Sequence, residues 1–317
     1  MRRLRVLFAG TPEVAVPSLH GLLQDERFEV VGVLTNPDRP RGRSGTPVAS
    51  PVARTAREAG LPLFQPQKIR DEVGRLVDTG AEIGAVVAYG TLLPGDVLET
   101  LPLGFVNLHF SLLPRWRGAA PVQHAIRAGD VMTGITCFRL ETGMDTGPIL
   151  RQMAIEIPND ADAGEVLSRL AVQGGPMLRD ALLAVRDGEP GTPQDSEAVT
   201  LAPRILPQDC IIDWTRSAGD VDRLVRSVSP KPGAVTTYAG GVVKLAEVRT
   251  VVEPGSGGAP GTLLGTDGDG ILVACGSGAL RVAKIQIPGR TWTRAADQVR
   301  GRRLVVGETF GGSDSGS

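Results

Sequence analysis

The sequence is short of several things, and each shortage excludes a class of protein. Cysteine occurs three times in 317 residues, at Cys137, Cys210 and Cys275, with no CxxC pair and no histidine close by. Metal-site spacing is missing and three scattered cysteines are too few for a disulfide framework, so neither is expected, and a reducing cytosol fits best. Long apolar runs are missing: none approaches the roughly 20 residues that cross a bilayer. The amino terminus is basic, Met1-Arg2-Arg3-Leu4-Arg5, but the apolar stretch behind it, Val6 to Ala9, stops at Gly10 and Pro12. A signal peptide needs about 7–15 apolar residues there, so the stretch reads as a first β-strand. Net charge is nearly absent at −1, and nothing in the bulk balance announces a nucleic-acid partner. Aromatics make up only 4%, and 4 lysines stand against 30 arginines.

What is present is turn chemistry and length. The 41 glycines and 24 prolines imply many loops, and a chain this long accommodates two domains with cores of their own. Through residue 150 the chain alternates strand-like and helix-like segments. Leu4–Ala9, Glu29–Thr35, Ile83–Ala88 and Phe105–Phe110 read as strands; the stretch after Pro12 through Leu23, residues 47–59 and Pro94–Glu99 read as helices. Such alternation predicts an α/β fold, a mostly parallel sheet with helices on both faces and ligands beyond the carboxyl ends of its strands. A helix is expected from Ala163 to Val185, then a Pro/Gly-rich linker. From about residue 205 short β-like runs separated by Gly and Pro predict a small barrel or sandwich.

Charge is unevenly distributed. Residues 151–200 hold nine acidic and four basic residues. Two arginine-rich clusters offset them: Arg39, Arg41, Arg43, Arg54 and Arg57 against Asp38, and seven Lys/Arg in 281–303 against Asp297. A solvated surface explains either cluster alone, but local clusters rather than net charge attract phosphate backbones.

The segment Asn107-Leu108-His109-Phe110-Ser111-Leu112-Leu113-Pro114-Arg115-Trp116-Arg117-Gly118-Ala119-Ala120-Pro121 carries the strongest chemical signal. It puts an amide and an imidazole two residues apart at a strand end, and therefore on one face. Further on, Asp145 lies between Gly143 and Gly147. Asn and His can donate to a developing oxyanion while Asp orients the His. Ser111 lacks the G-x-S-x-G context of a nucleophile, so the nucleophile would belong to a substrate. An α-amino group, with a pKa of roughly 7.7–8.0, keeps a useful neutral fraction at cytosolic pH. Acyl transfer to an amine is the reaction class these residues suggest.

The chain resembles the formyltransferases that use 10-formyltetrahydrofolate, most closely the branch acting on methionyl-tRNA. The matching stretches are Phe8-Ala9-Gly10-Thr11-Pro12, Thr35-Asn36-Pro37-Asp38-Arg39-Pro40, Val87-Ala88-Tyr89-Gly90, Asn107 through Pro121 and Met144-Asp145-Thr146-Gly147, with a weaker match at Ile212-Asp213-Trp214. The resemblance implies a Rossmann-like catalytic domain over residues 1–188, a linker at 189–204, an OB-like barrel over 205–310 that binds tRNA, and a disordered tail at 311–317. It implies Asn107, His109 and Asp145 as catalytic residues. Ser111, Leu112, Leu113 and Pro114 match its folate-contacting segment, and Val87, Ala88, Tyr89 and Gly90 its pterin wall. Arg41 and Arg43 fall on a basic loop associated with the tRNA acceptor stem, and Arg290 and Arg294 lie in the cluster that falls on the barrel. The expected partners are 10-formyltetrahydrofolate as formyl donor and methionyl-initiator tRNA as acceptor, with no metal and no membrane, in a cytoplasmic monomer.

Two departures stand out. The loop Arg39–Thr46 lacks the lysines common in relatives, and Ser229-Pro230-Lys231-Pro232-Gly233 stands where relatives often carry an aromatic between the prolines. Rival readings are formylation of an amino sugar nucleotide or a purine precursor, hydrolysis of the formyl donor, and a non-catalytic RNA-binding protein on an enzyme scaffold.

Overall fold

The opening run of the chain forms β1 (Leu4–Gly10), in which every residue is buried except the half-buried Arg5. A strand apolar on both faces has to be covered on both faces, and β1 sits inside a seven-stranded sheet. The computed structural model describes residues 2–40, 45–251 and 258–311. They divide into two compact units: Met1–Pro121, Met132–Glu156 and Leu167–Pro203 in the first, and Val122–Val131, Ile157–Val166 and Arg204–Ser317 in the second.

After β1 come α1 (Val16–Leu23), β2 (Phe28–Leu34), the paired short strands β3 (Arg39–Pro40) and β4 (Pro47–Val48), α2 (Pro51–Glu58), β5 (Leu63–Phe64), α3 (Val73–Asp78), β6 (Ile83–Val87), α4 (Gly95–Leu98), β7 (Phe105–His109), α5 (Pro121–Ala128), β8 (Met132–Arg139), β9 (Ile149–Glu156) and α6 (Ala163–Arg186). The sheet runs β5-β2-β1-β6-β7-β8-β9. It is parallel as far as β7, and β8 and β9 are antiparallel. The chain crosses from the β2 side of β1 to the β6 side, so the strand order reverses between β1 and β6. Ligands of open α/β sheets bind at such a reversal. Leu7 and Ala9 of β1, Val86 of β6 and Phe105 of β7 share one core with Leu76 of α3 and Val97 of α4. On α6, Arg179 reaches Asp25, just past α1, at 3.2 Å.

The helix expected over 47–59 is shorter. The Ser50 hydroxyl accepts from Ala53 N–H at 3.0 Å and caps α2, while Pro47 and Val48 pair with Arg39 and Pro40 instead. Strand β6 stops one residue early because Ala88 turns into the left-handed region at φ 46.

The second unit is built on α7 (Ala218–Val228), β10 (Ala234–Tyr238), β11 (Gly241–Val251), β12 (Leu263–Asp267), β13 (Gly270–Ala274), β14 (Ala279–Gln286), β15 (Thr293–Arg294) and α8 (Ala295–Arg300). Its antiparallel sheet has the order β10-β11-β14-β13-β12, with β15 on β14. Val221, Val225 and Val228 of α7 enter a core with Leu245, Val273 and Leu280. Trp214 closes that core, stacked on Phe310 at 5.8 Å and donating from Nε1 to Thr236 Oγ1 at 3.0 Å. Helices α7 and α8 were not expected among short β-like runs. Ser217, whose hydroxyl caps α7, and the valines at positions 221, 225 and 228 are the signal for the first of them.

The expected linker behaves differently from a linker. Thr192 and Ile149 exchange backbone hydrogen bonds of 2.8 and 2.7 Å, and Ala202 N–H donates to Arg117 O at 2.7 Å. Its Pro/Gly-rich composition marks turns, yet the extended pieces between them are bonded to the first unit. The expected tail, apart from Gly311, lies outside the described residues, as do Arg41 and Arg43. All three cysteines are free and buried, and burial raises the pKa of each thiol, Cys275 to about 11. They serve as small apolar residues. Among the described residues no helix is long and apolar enough to cross a membrane.

Candidate active site

Strand β7 ends in the alternation Phe105, Asn107, His109, whose side chains leave one face of the sheet. Phe105 enters the core under α3 and α4, and the next two members reach a pocket of about 470 Å³. His109 is buried, and its Nε2 lies 2.8 Å from the carbonyl oxygen of Trp116. A carbonyl only accepts, so Nε2 carries the hydrogen in that contact. Nδ1 is then the nitrogen that can take or release a proton, and it faces Asp145 Oδ2 at 3.7 Å. That separation exceeds a hydrogen bond. Half-buried Asn107 makes no side-chain hydrogen bond among the described residues, which leaves its amide free for a ligand.

Asp145 arrives from an unexpected direction. Strand β8 runs antiparallel to β7, and its last residue, Arg139, pairs with Val106 near the start of β7. The loop 140–148 therefore begins at the far end of β7 and folds back over the face to bring Asp145 to His109. At its apex Asp145 adopts φ 53, the left-handed region that Asp and Asn enter more readily than other residues with a side chain. Its Oδ2 accepts from Gly118 N–H at 2.7 Å. Gly118 itself sits at φ +122, and a Cβ there would lie 2.6 Å from Ala202 O. Only glycine allows this loop so close to the segment behind it.

The opposite wall is the turn after β6. Thr11 Oγ1 and Asn36 Nδ2 both donate to Tyr89 O, at 2.8 and 2.7 Å, and Thr91 Oγ1 donates to Asn36 Oδ1 at 2.8 Å. The Gly-Thr-Pro and Thr-Asn-Pro stretches thus hold the pocket wall in shape. Ala88, Tyr89 and Gly90 line the pocket, whereas Val87 does not and its neighbour Val86 does. Burial pushes the Tyr89 hydroxyl pKa up, so the phenol stays neutral. Leu92 and Met144, both at the pocket, are 76% and 58% exposed and form an apolar rim.

Ser111, Leu112, Leu113 and Pro114 are not brought to this pocket. Their polar groups already serve the protein. Ser111 Oγ donates to Arg115 O at 2.7 Å, Leu113 N–H donates to Thr136 Oγ1 at 3.1 Å, and Leu113 O accepts from Gln152 at 2.9 Å. These bonds set the path of the loop that returns Trp116 and Gly118 to the site. Sequence reasoning missed Gln194, which bonds to the Asp145 loop, because its surroundings read as a linker.

The arginine clusters resolve into paired and unpaired members. Arg57 contacts Asp38 at 3.0 Å and Arg54 contacts Glu13 at 3.8 Å. Hydrogen bonds from Gln65 and then Arg57 hold the Asp38 carboxyl below its ordinary pKa. In the second cluster Arg281 pairs with Asp267, Lys284 with Glu247, Arg294 with Asp269, and Arg300 with Asp297. Arg290 and Arg303 have no acidic partner among the described residues and line a hollow of about 240 Å³ with Thr291, Thr293 and Gln298.

Residues 2–182 match the family model described as formyl transferase, and residues 204–303 match the one described as formyl transferase, C-terminal domain. The methionyl-tRNA formyltransferase of Streptomyces coelicolor is 44% identical over 311 residues, covering 97% of this chain and 100% of its own. The protein of the same name from Mycobacterium ulcerans is 42% identical over 306 residues, covering 95% and 98%. Among solved structures, HypX from Aquifex aeolicus in complex with tetrahydrofolic acid superposes with a TM-score of 0.67 at 16% identity, covering 96% of this chain and 48% of that one. The chain thus spans about half the length of HypX. The N-formyltransferase of Helicobacter canadensis, in complex with folinic acid and dTDP-3-aminofucose, gives 0.66 at 14% identity over 89% and 99% of the two chains. At these identities the structural likeness is one of fold.

Proposed function

The chain belongs to the formyl transferase family, and from that premise we propose that it transfers the formyl group of 10-formyltetrahydrofolate to the amino group of methionyl-initiator tRNA. The product is N-formylmethionyl-tRNA for translation initiation. One arrangement carries the chemistry: a free Asn107 amide and His109 Nδ1, with Asp145 3.7 Å from that nitrogen, at an apolar pocket. The bound donor supplies the formyl carbon: the substrate nitrogen bonds to it, its bond to N10 breaks, and N10 leaves with a proton.

A pocket of about 470 Å³ walled by Tyr89, Leu93 and Leu140 and lined by the 88–91 turn suits a flat heteroaromatic ring. In this reading Ala88, Tyr89 and Gly90 contact the pterin, and Ser111 to Pro114 shape the adjoining loop. Asn107 donates to the formyl oxygen as it gains charge, and His109 joins it once Nδ1 has taken the proton of the amine. Asp145 stabilises the protonated form of His109, and the ring moves the proton released by the amine. The reaction belongs in the cytosol, consistent with three free thiols, and the enzyme works as a monomer. The first unit forms the catalytic part and the second the tRNA-binding part.

Donor consumption measured with methionyl-initiator tRNA, an amino sugar nucleotide or water as acceptor tests the activity. Turnover is expected with the tRNA alone; equal turnover with water or sugar would sink the proposal. Because Asn36 holds the pocket wall, Asn36→Ala is expected to raise KM for the donor about tenfold, roughly the 1.4 kcal/mol of one good hydrogen bond. Its kcat should change less, and steady-state kinetics with varied donor checks the split.

Arg41, Arg43, Arg290 and Arg294 are proposed to hold tRNA phosphates, Arg294 by exchanging its exposed contact with Asp269. Arg290 has no such exchange to make. Replacing it by alanine is expected to weaken tRNA binding and flatten the slope of log K against log salt by about 1. A salt titration of binding that leaves the slope unchanged removes Arg290 from the interface.

A further inference from the structure

The side chain of Gln194 joins the two loops that meet at His109. Its Nε2 donates to the carbonyl oxygens of Asp145 and Gly147, each at 2.8 Å. Its Oε1 accepts from Arg117, at 2.7 Å from Nη2 and 3.1 Å from Nε. A single amide thereby spends both donors and its acceptor on fixed partners. Arg117 belongs to the loop that presents Trp116 O to His109 and Gly118 N–H to Asp145. Arg117 is fixed in turn, its N–H donating to Thr200 O at 2.9 Å and its carbonyl accepting from Ala202 N–H. The strand-like segment that carries Gln194 is bonded on both sides of it, at Thr192 and at Thr200 to Ala202.

At φ 53 the Asp145 backbone makes a left-handed turn, and the carboxylate direction follows from whatever fixes that turn. The pair of bonds to the carbonyls of Asp145 and Gly147 is made by a side chain outside both loops. We propose that Gln194, backed by Arg117, is a positioning residue for formyl transfer, fixing the Asp145 turn so that the carboxylate faces His109 Nδ1. The proposal rests on the roles given above to His109 and Asp145.

The test is a double-mutant cycle on the full-length enzyme, with kcat and both KM values measured for wild type, Gln194→Ala, Asp145→Asn and the double variant. Gln194→Ala is expected to lower kcat about 30-fold, within the range of a displacement under 1 Å, with each KM within about twofold of wild type. In the Asp145→Asn background the same substitution should cost less than about threefold, because the carboxylate it positions is gone. A merely structural glutamine would cost the same in both backgrounds. Gln194→Met keeps length and bulk but neither donor nor acceptor; it should match Gln194→Ala in kcat, and it carries the test if the alanine variant does not fold. Equal losses in the two backgrounds, or kcat within about threefold of wild type in Gln194→Met, would overturn the brace alone. Full activity in Asp145→Asn by itself would remove the role of Asp145, and the brace with it.

Discussion

His109→Ala is expected to lower kcat for formyl transfer about 10³-fold, while the chain still folds and still binds tRNA. Two contributions vanish with the ring. One is a hydrogen-bond donor to the formyl oxygen, and the loss of one such donor costs about 10²–10³ in rate. The other is the proton carrier at Nδ1, worth about 10²–10⁴ where proton transfer limits the step. They overlap because both need the same nitrogen, so the total stays below their product. Folding is affected less. Trp116 O loses its hydrogen bond from His109, at a cost of about 1–3 kcal/mol unless water from the adjoining pocket replaces it. His109→Gln separates the contributions, since an amide can donate to the oxygen but cannot carry the proton. It should recover part of the rate, the part that hydrogen-bond donation supplies. Single-turnover kinetics, a thermal melt and a tRNA binding isotherm on both variants check this. An alanine variant within tenfold of wild-type kcat would mean that the imidazole is not in the reaction.

How much of this site is legible in the sequence depends on the distance over which each signal acts. Asn107 and His109 are legible because their relation is local: a strand fixes two side chains two residues apart on one face. The alternation of strands and helices through β7 is legible for the same reason, apolar periodicity being a property of neighbours. The reach of Asp145 is not local. Nothing between Arg139 and Pro148 tells that the loop folds back along β7 rather than continuing away from it; that follows from the antiparallel pairing of β8. Gln194 is further removed, since its Pro/Gly-rich neighbourhood has the composition of a linker and its bonds run to residues 47 to 77 positions away. The clusters at 37–57 and 281–303 are visible as counts, yet the count hides that Arg281, Lys284 and Arg300 are spent on carboxylates of the same unit. The segment Ser111–Pro114 is legible as a specific pattern, but not the use of its polar groups to shape a loop.

Gly147→Ala is expected to damage stability and turnover together, by a mechanism independent of proton chemistry. A Cβ at this position would lie 1.9 Å from the carbonyl oxygen of Arg139. Arg139 N–H in turn donates to Pro148 O at 3.0 Å, so residues 139 and 147–148 form the neck of the Asp145 loop. Gly147 has no left-handed φ, so the whole effect comes from the clash: the neck must open, and Gly147 O must leave Gln194. Forcing a methyl into such a contact costs about 1–3 kcal/mol. A shift near 1 Å at Asp145 costs about 10² in kcat. Gly74→Ala in α3 is the matching control, because a Cβ there meets nothing within 4 Å and alanine is favoured over glycine in a helix by up to about 1 kcal/mol. That variant should melt at or above the wild-type temperature with unchanged kcat. If Gly147→Ala melts lower but turns over normally, the loop recovers its geometry despite an opened neck, and the position of the Asp145 carboxylate does not depend on the neck. If both quantities fall, the neck and the Gln194 brace act as one support. Combining Gly147→Ala with Gln194→Ala should then cost little more in kcat than either alone.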